Sequence, residues 1–432
     1  MQPHESARGP HVLRQINFAA VLRAVREHSP ARVADLMQAT GLSRPAVTRA
    51  VAELRDAGLV ADVDETAQVS MGRPAQWIRF RAEVGHVVGV DVGSHKVIAM
   101  VADLAGKVVA SRQVTIGDGA TGDRLLQSVR DTIAEALAKA DLTGEDVWGI
   151  VVGTPGIVDE SSGEVLLAPG IPGLAHLPVL DELRTLTPSP VLIENDINLA
   201  VLGERWCGAA VGSDSLVFVH WGVRIGAGII IDGKPYRGAN GAAGEIGFAD
   251  VFSAPETPDP ASLVGAETSG VSEHGAFERM VGTQAIAELA DAAAALAARD
   301  PEALLAPDTP DVLEAVAAVT SGTASDGVAA VFAAATAGDP TALAVVDRIA
   351  ARFARGLAAM LLVLDPGEVI IGGGLSRAGE TLLAAIERHL RPRILTSPRL
   401  VLSDLGGDAV ALGAVRRALD HVESRLLAHP GA

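Results

Sequence analysis

The chain has 432 residues, 49% of them hydrophobic and only 3% aromatic, with a formal net charge of −18. That length points to two or three domains with cores of Ala, Val, Leu and Ile. Its longest wholly apolar run, Leu357 to Leu364, falls far short of the roughly 18 residues a bilayer span needs, and one cysteine, Cys207, excludes an intrachain disulfide and a cysteine-built zinc cluster.

The N-terminus carries no apolar signal region, so the expectation is a cytoplasmic protein with no membrane partner. Cys207, between Trp206 and Gly208, reads as a small core residue rather than a reactive thiol. Charge is uneven along the chain: residues 1 to 81 hold 11 Arg, no Lys and 8 acids, a net +3, whereas the remainder holds 24 basic and 45 acidic residues, a net −21. An acidic body repels nucleic acid, so any DNA contact is expected within the first 81 residues.

The first expected element is a helix through Leu13, Ile16, Val21, Leu22 and Val25, broken by Pro30. RVADLMQAT is a second, short helix with Gly41 as its C-cap glycine. A third begins at LSRPAVTR, with Ser43 as N-cap and Pro45 in the first turn. Val47, Ala50, Val51 and Leu54 share one face of it; Pro45, Thr48, Arg49 and Ala52 share the other. Short helix, glycine turn and polar-faced helix make a helix-turn-helix, whose second helix enters the major groove by its N-terminal end. Ser43, Arg44, Thr48 and Arg49 are the candidate groove contacts, since Arg grips guanine through two hydrogen bonds and the Thr methyl meets thymine. A three-helix protein-binding module is the alternative. LVADVDETAQVS and AQWIRFRAE then read as a wing of two strands, with Arg73 either at the DNA backbone or minor groove or an ordinary hairpin arginine.

From Val84 the pattern becomes α/β. VGHVVGVDVGS and KVIAMVADLAGKVVASRQVTI read as three strands with turns at Gly93 to His95 and Ala105 to Gly106. A helix follows over about Gly122 to Ala140, then VWGIVVGTPGIVDE, a buried strand ending in a Gly-Pro-Gly turn. VLIENDINLAVLGERW is a strand running into a helix, LVFVHWGVRIGAGIIIDGKPYRG a glycine-punctuated hairpin, and DPGEVIIGGGLS a strand stopping at a glycine turn. Gln284 to Val319 is Ala-rich and reads as helical. In GANGAAGEIGF one carboxylate, Glu245, sits among Gly241, Ala242, Ala243 and Gly244. By itself that stretch is a glycine-rich turn with a solvent-facing acid, or a site where the backbone approaches a ligand closely. Asn195 and Asp196 by themselves read as a helix cap.

The motifs VVGTPGIVD, IENDINLAVLGE, GANGAAGEIGF, AGDPTALAV and VIIGGGLS together resemble the ROK family of repressors, open reading frames and sugar kinases. The resemblance covers Val84 to the C-terminus, and the preceding winged head is similar to that of the family's repressors. It implies a two-lobed actin-like ATPase body with a sugar between the lobes. Glu245 would accept hydrogen bonds from sugar hydroxyls, Asn195 would bind the ring, and Asp196 would occupy the place of the kinases' general base. Gly153, Thr154, Pro155 and Gly156 match the loop that closes over the sugar, and Glu278 matches a further sugar-binding acid.

Three departures shape the functional expectation. The kinases' Asp-x-Gly-Gly-Thr-Lys is DVGSHK here, so Ser94 and His95 crowd a phosphate turn. WGVRIGAG puts Val223 and Arg224 where a small hydroxyl and a glycine belong. The family's zinc segment lacks its ligands: Phe248 replaces the His, and the cysteines are replaced by a Pro/Ser-rich stretch, SAPETPDPASLVGAETSG, expected to be loose for want of the metal. The expectation is therefore a sugar-responsive transcriptional repressor without zinc or ATP and with no catalytic residue. It would bind operator DNA and a sugar or sugar phosphate as a homodimer or homotetramer. Its parts would be a head over 11–81, a first lobe over 84–196 and a second over 197–432, the C-terminal helix returning to the first lobe. A sugar kinase with a DNA-binding head is the alternative.

Overall fold

The computed structural model describes residues 10–63, 77–117, 122–159, 162–168, 171, 173–175, 179–251, 275–297 and 324–428. Helix α1 (Pro10–Glu27), a short strand β1 (Ala31–Arg32), α2 (Val33–Thr40) and α3 (Arg44–Asp56) precede the wing strands β2 (Val60–Val63) and β3 (Trp77–Phe80). β3 pairs antiparallel with both β1 and β2. Gly41 closes α2 with a left-handed φ of 68°, which glycine adopts without strain. α3 buries Val47, Ala50, Val51 and Leu54, the 3.6-residue stripe of an amphipathic helix. Ser43 holds the N-cap position, yet its side chain makes no capping hydrogen bond, leaving that hydroxyl exposed with its neighbours.

Two five-stranded sheets of one plan make the body. In the first, β4 (His86–Val92), β5 (Lys96–Asp103) and β6 (Val108–Thr115) form a meander, and β7 (Val147–Thr154) and β10 (Val191–Asn195) extend it in parallel, in the order β10-β7-β4-β5-β6. Helix α4 (Gly122–Lys139) covers one face, and the hairpin β8 (Ile157–Asp159) and β9 (Glu164–Leu167) and a short α5 (Val179–Leu183) lie between β7 and β10 in the chain. All seven residues of β4 are buried, which explains its near-continuous apolar text. Helix α6 (Asp196–Cys207) follows β10 without a loop.

The second sheet repeats the plan: a meander of β11 (Leu216–Trp221), β12 (Ile225–Ile231) and β13 (Lys234–Pro235), extended in parallel by β14 (Glu368–Gly372) and β15 (Arg399–Leu402). Around it lie α7 (Ala276–Val281), α8 (Thr283–Ala297), α9 (Ala324–Thr336), α10 (Pro340–Leu364), α11 (Gly379–Leu390) and finally α12 (Ala409–Ala428). The Ala-rich stretch is helical through Ala297; its part from 298 to 319, like the Pro/Ser-rich stretch from 253 to 270, lies outside the described residues. Among the described residues no single helix is long and apolar enough to cross a membrane. The apolar α9–α10 pair, bent by 110°, buries Val345, Ile349, Phe353 and Leu357 in the second core, where Phe353 stacks on Trp221 with ring centroids 3.7 Å apart.

Helices α6 and α12 cross at the centre of the molecule. α12 packs on α6 and on β4, β5 and β7 of the first sheet, while α6 also packs on β11 and β12 of the second. The crossing is backbone-close: a Cβ at Gly413 would lie 1.7 Å from the Leu199 carbonyl oxygen, and one at Gly203 2.5 Å from that of Ala409. A single apolar core runs from Phe18, Val21 and Leu22 of the head through Val415 and Leu419 to Phe218 of the second sheet. The head is also tied by polar contacts. Gln15 Nε2 donates to the Leu427 carbonyl at 3.0 Å, and Arg26 pairs with Glu423. Arg416, 3.7 Å from Glu423, lies over the ring of Trp206 on α6 at 5.7 Å. Cys207 corrects the sequence expectation: it is exposed at the end of α6 rather than in the core, because the helix stops there and Gly208 turns the chain away.

Candidate functional site

The carboxyl ends of β4 and β10 and the segment after β13 bring carboxylates together. Asn195 caps α6 with its side chain, Oδ1 accepting from the amides of Ile197 at 2.9 Å and Asn198 at 3.0 Å, while Nδ2 donates to the Gly156 carbonyl at 2.9 Å. The capping reading therefore holds, and it also joins the β7–β8 turn to β10. Asp196, the first residue of α6, has its pKa pushed up to about 7 by burial and by the nearby charges of Asp91 and Glu245. Burial likewise raises Asp91 to about 6 against the opposing pull of Lys96, whose Nζ stands 3.6 Å away. Glu245 is raised by burial and by Glu278, with Arg224 opposing. His220, at the end of β11, is depressed to about 4 by burial and by Lys96, and is neutral at pH 7.

Asp91, Asp196 and Glu245 are thus each held above the ordinary carboxylate range, by burial first and by neighbouring charge second, with Glu278 beside Glu245. Such a set accepts and donates hydrogen bonds at once, which suits a polyhydroxyl ligand. Glu278 is buried, and its two oxygens already accept from the amides of Ile225 and Gly275 at 3.0 Å each. Its first duty is to fasten α7 to β12, leaving only its remaining lone pairs for a ligand. Two positions of the VGTPG stretch are taken up by packing within the fold. A Cβ at Gly153 would point at Val410 of α12 and Leu199 of α6, within 2.8 Å. Thr154 is buried among Leu125, Val152 and Ile193 inside the first lobe. Pro155 and Gly156, beyond the strand end, are half-buried.

The glycines of GANGAAGE have a cause within the fold itself. Gly238, Gly241 and Gly244 all have left-handed φ, and a Cβ at Gly244 would sit 1.8 Å from the Ala227 carbonyl oxygen. The turn is small because it folds against its own β12 and β8 backbone. Behind it, against α10, opens an apolar cavity of about 580 Å³ lined by Tyr236, Ala243, Phe277, Met360 and Val363, among others; none of the four acids lines it. Among the described residues no three His, Cys, Asp or Glu stand together as a metal site would need; Phe248 is a partly exposed apolar ring and the lone thiol belongs to α6.

On the head, Ser43, Arg44, Thr48 and Arg49 are all exposed on the outer face of α3. Four other arginines of the head are neutralised locally: Arg14 by Glu53 at 2.9 Å, Arg32 by Asp35 at 2.9 Å, Arg55 by Asp62 at 2.7 Å and Arg79 by Glu83 at 2.9 Å. Arg44 and Arg49 have no hydrogen-bond or ion-pair partner among the described residues, and neither has Arg23 on α1, an exposed cation that the sequence pattern did not single out. Arg73 lies outside the described residues. Glu194 and Arg237 were also missed by sequence reasoning. They meet beside Asn195, with Arg237 Nε 2.7 Å from Glu194 Oε2, and no local pattern marks a pair so far apart in the chain.

Comparison with known proteins supplies what geometry alone does not. The sequence profile of the ROK family matches residues 87–420, and that of the MarR family matches residues 19–67. A glucokinase of Halalkalibacterium halodurans is 31% identical over 330 residues, 76% of this chain and 92% of its own. The DNA-binding transcriptional dual regulator NagC of Escherichia coli is 25% identical over 418 residues, 95% of this chain and 90% of its own. A solved ROK family transcriptional regulator, a homolog of the E. coli MLC protein, superposes with a TM-score of 0.72 at 23% identity, covering 98% of this chain and 99% of that one.

Proposed function

Because the chain belongs to the ROK family and carries a winged helix-turn-helix in front of the family's body, we propose that it is a sugar-responsive transcriptional repressor acting in the cytoplasm. The observation that carries this reading is the exposed, unpaired pair Arg44 and Arg49 on a groove-sized helix, in a head whose core is continuous with that of α6, the helix that begins at the acid cluster. Relatives spanning nearly the whole chain include a DNA-binding regulator, whereas the glucokinase relative covers 76% of it.

In this reading α3 enters the major groove, Arg44 and Arg49 reach guanine edges or phosphates, and Arg23 meets the backbone. A sugar, free or phosphorylated, is held by Glu245 and Asp196, with Asn195 and Glu278 beside them. Ligand binding favours one arrangement of the two sheets. The change reaches the head because Asp196 begins α6, α6 crosses α12 with no slack at Gly203 and Gly413, and α12 seats α1. A homodimer or homotetramer would read half-sites about one helical turn, or a multiple, apart. Zinc and ATP play no part in this reading, since Phe248, His95 and Arg224 replace the groups that would hold them.

Residual sugar phosphorylation is the second reading. An Asp196 that titrates at about 7 is matched to general-base work near neutral pH, and a kinase is among the relatives. Fluorescence anisotropy on DNA from upstream of the gene, at fixed salt, with sugars added, tests the first reading. Glu245→Ala is expected to keep operator affinity and to lose the sugar response; loss of both together would sink the separation of roles. ATP-dependent phosphorylation of glucose that disappears in Asp196→Asn would instead establish the kinase.

A further inference from the structure

We propose that Glu194 is the positioning residue of the sugar site, and that its ion pair with Arg237 sets the spacing between the parts that grip the ligand; this rests on the sugar-binding reading above. Glu194 is 6% exposed and stands at the carboxyl end of β10, immediately before Asn195. Its Oε2 receives Arg237 Nε at 2.7 Å and Nη2 at 2.5 Å. Its Oε1 receives the amide of Asn195 at 3.1 Å and Asn198 Nδ2 at 3.2 Å.

Each partner governs one part of the site. Asn195 and Asn198 belong to the start of α6, and Asn195 in turn holds the β7–β8 turn through the Gly156 carbonyl. Arg237 opens the small-residue turn: its carbonyl accepts from the Ala243 amide at 3.1 Å, closing the loop that leads to Glu245. The same turn rests on the first lobe, where a Cβ at Gly241 would lie 2.8 Å from the Val158 carbonyl oxygen. One buried carboxylate therefore fastens three segments that are distant in sequence: the turn at Gly156, the Asn195–Asp196 pair and the Glu245 loop. Glu194 touches no ligand in this account; it fixes the distance from Asp196 to Glu245. A charge removed from water is stable there only with its partner in good geometry, so the pair holds one arrangement rather than many.

The test uses the full chain with Glu194→Gln, Arg237→Lys, Arg237→Gln and the Glu194→Gln/Arg237→Gln double variant. D-glucose, D-xylose and N-acetylglucosamine are titrated by calorimetry, operator affinity without sugar is measured in parallel, and amide exchange is followed across 237–246. The expected result is sugar binding weakened about tenfold or more in each single Gln variant, with the double variant far from additive. Operator affinity is unchanged and exchange in 237–246 is faster, both without ligand. Arg237→Lys, which keeps the charge and loses the fork, rescues only part of the affinity. Unchanged sugar affinity with a lower melting temperature makes the pair a plain structural tie and overturns the proposal alone. So does unchanged exchange in the Arg237→Lys chain, should the Gln variants not fold. A wild-type chain that binds none of the three sugars overturns the sugar reading, and this proposal with it.

Discussion

Asp196 shows how a residue read as a helix start acquires a second property from its surroundings. Its folded pKa, about 7, lies above the ordinary 3.8 because of burial and the charges of Asp91 and Glu245. The folded chain therefore keeps a proton that the unfolded chain releases. Stability is unaffected below pH 4, falls between about pH 4 and 7, and is lowest above 7. Asp196→Asn is expected to flatten that decline and to stabilise the chain at pH 8 by about 1 kcal/mol or more. Melting temperatures from pH 4 to 8 check it; an Asn variant with the wild-type slope would refute it. On α3, Arg49→Ala or Arg44→Ala is expected to weaken operator binding by about 1–3 kcal/mol if it contacts a base, or to lower the salt slope by about 1 if it contacts phosphate. Binding isotherms at several salt concentrations decide. Arg44, Arg49, Glu245 and Asp196 were legible because motif and helical spacing mark them. Glu194 with Arg237, 43 residues on, was not, since a buried ion pair across that distance leaves no periodic trace.

Strands and helices were largely readable, because their signals are local. The apolar run of β4, the left-handed Gly41 and the Asp339-Pro340 start of α10, where Asp339 accepts from the Ala342 amide at 2.7 Å, each follow from a few adjacent residues. How α6 meets α12 was not readable: glycine in a helix suggests weakness until its neighbour is known. With the neighbour in place, Gly413→Ala forces a methyl 1.7 Å from the Leu199 carbonyl and is expected to cost about 1–3 kcal/mol, as overpacking does. Gly374→Ala, where a Cβ meets nothing within 4 Å, is expected to change stability by less than about 0.5 kcal/mol. Urea titration of both variants tests the crossing; equal stabilities would mean that α6 and α12 separate readily.

At the scale of the molecule, the head is seated on the body rather than strung from it. Its core is continuous with that of α12, and Arg26, Glu423, Arg416 and Trp206 connect α1 to α6. The coupling between a sugar and an operator is one free energy, read equally from either ligand. Glu423→Gln is expected to leave each ligand's separate affinity within about twofold while reducing the factor by which one changes the other, ordinarily about 5–150-fold. A coupling factor equal to wild type would place the communication elsewhere. Charge asymmetry in the sequence separates head from body, but it says nothing of this seat, because composition reports what a segment is made of and not what it rests on.

The seat has a consequence for how the protein is made. Arg26 leaves the ribosome 397 residues before its partner Glu423. At about 5–20 residues per second, the head waits roughly 20–80 s for the surface that completes it. During that interval the face of α1 that will hold Gln15, Phe18 and Arg26 is open to chaperones. A message cut short before α12 yields a head without its support, so a nascent chain acquires a supported DNA-binding head only when α12 emerges.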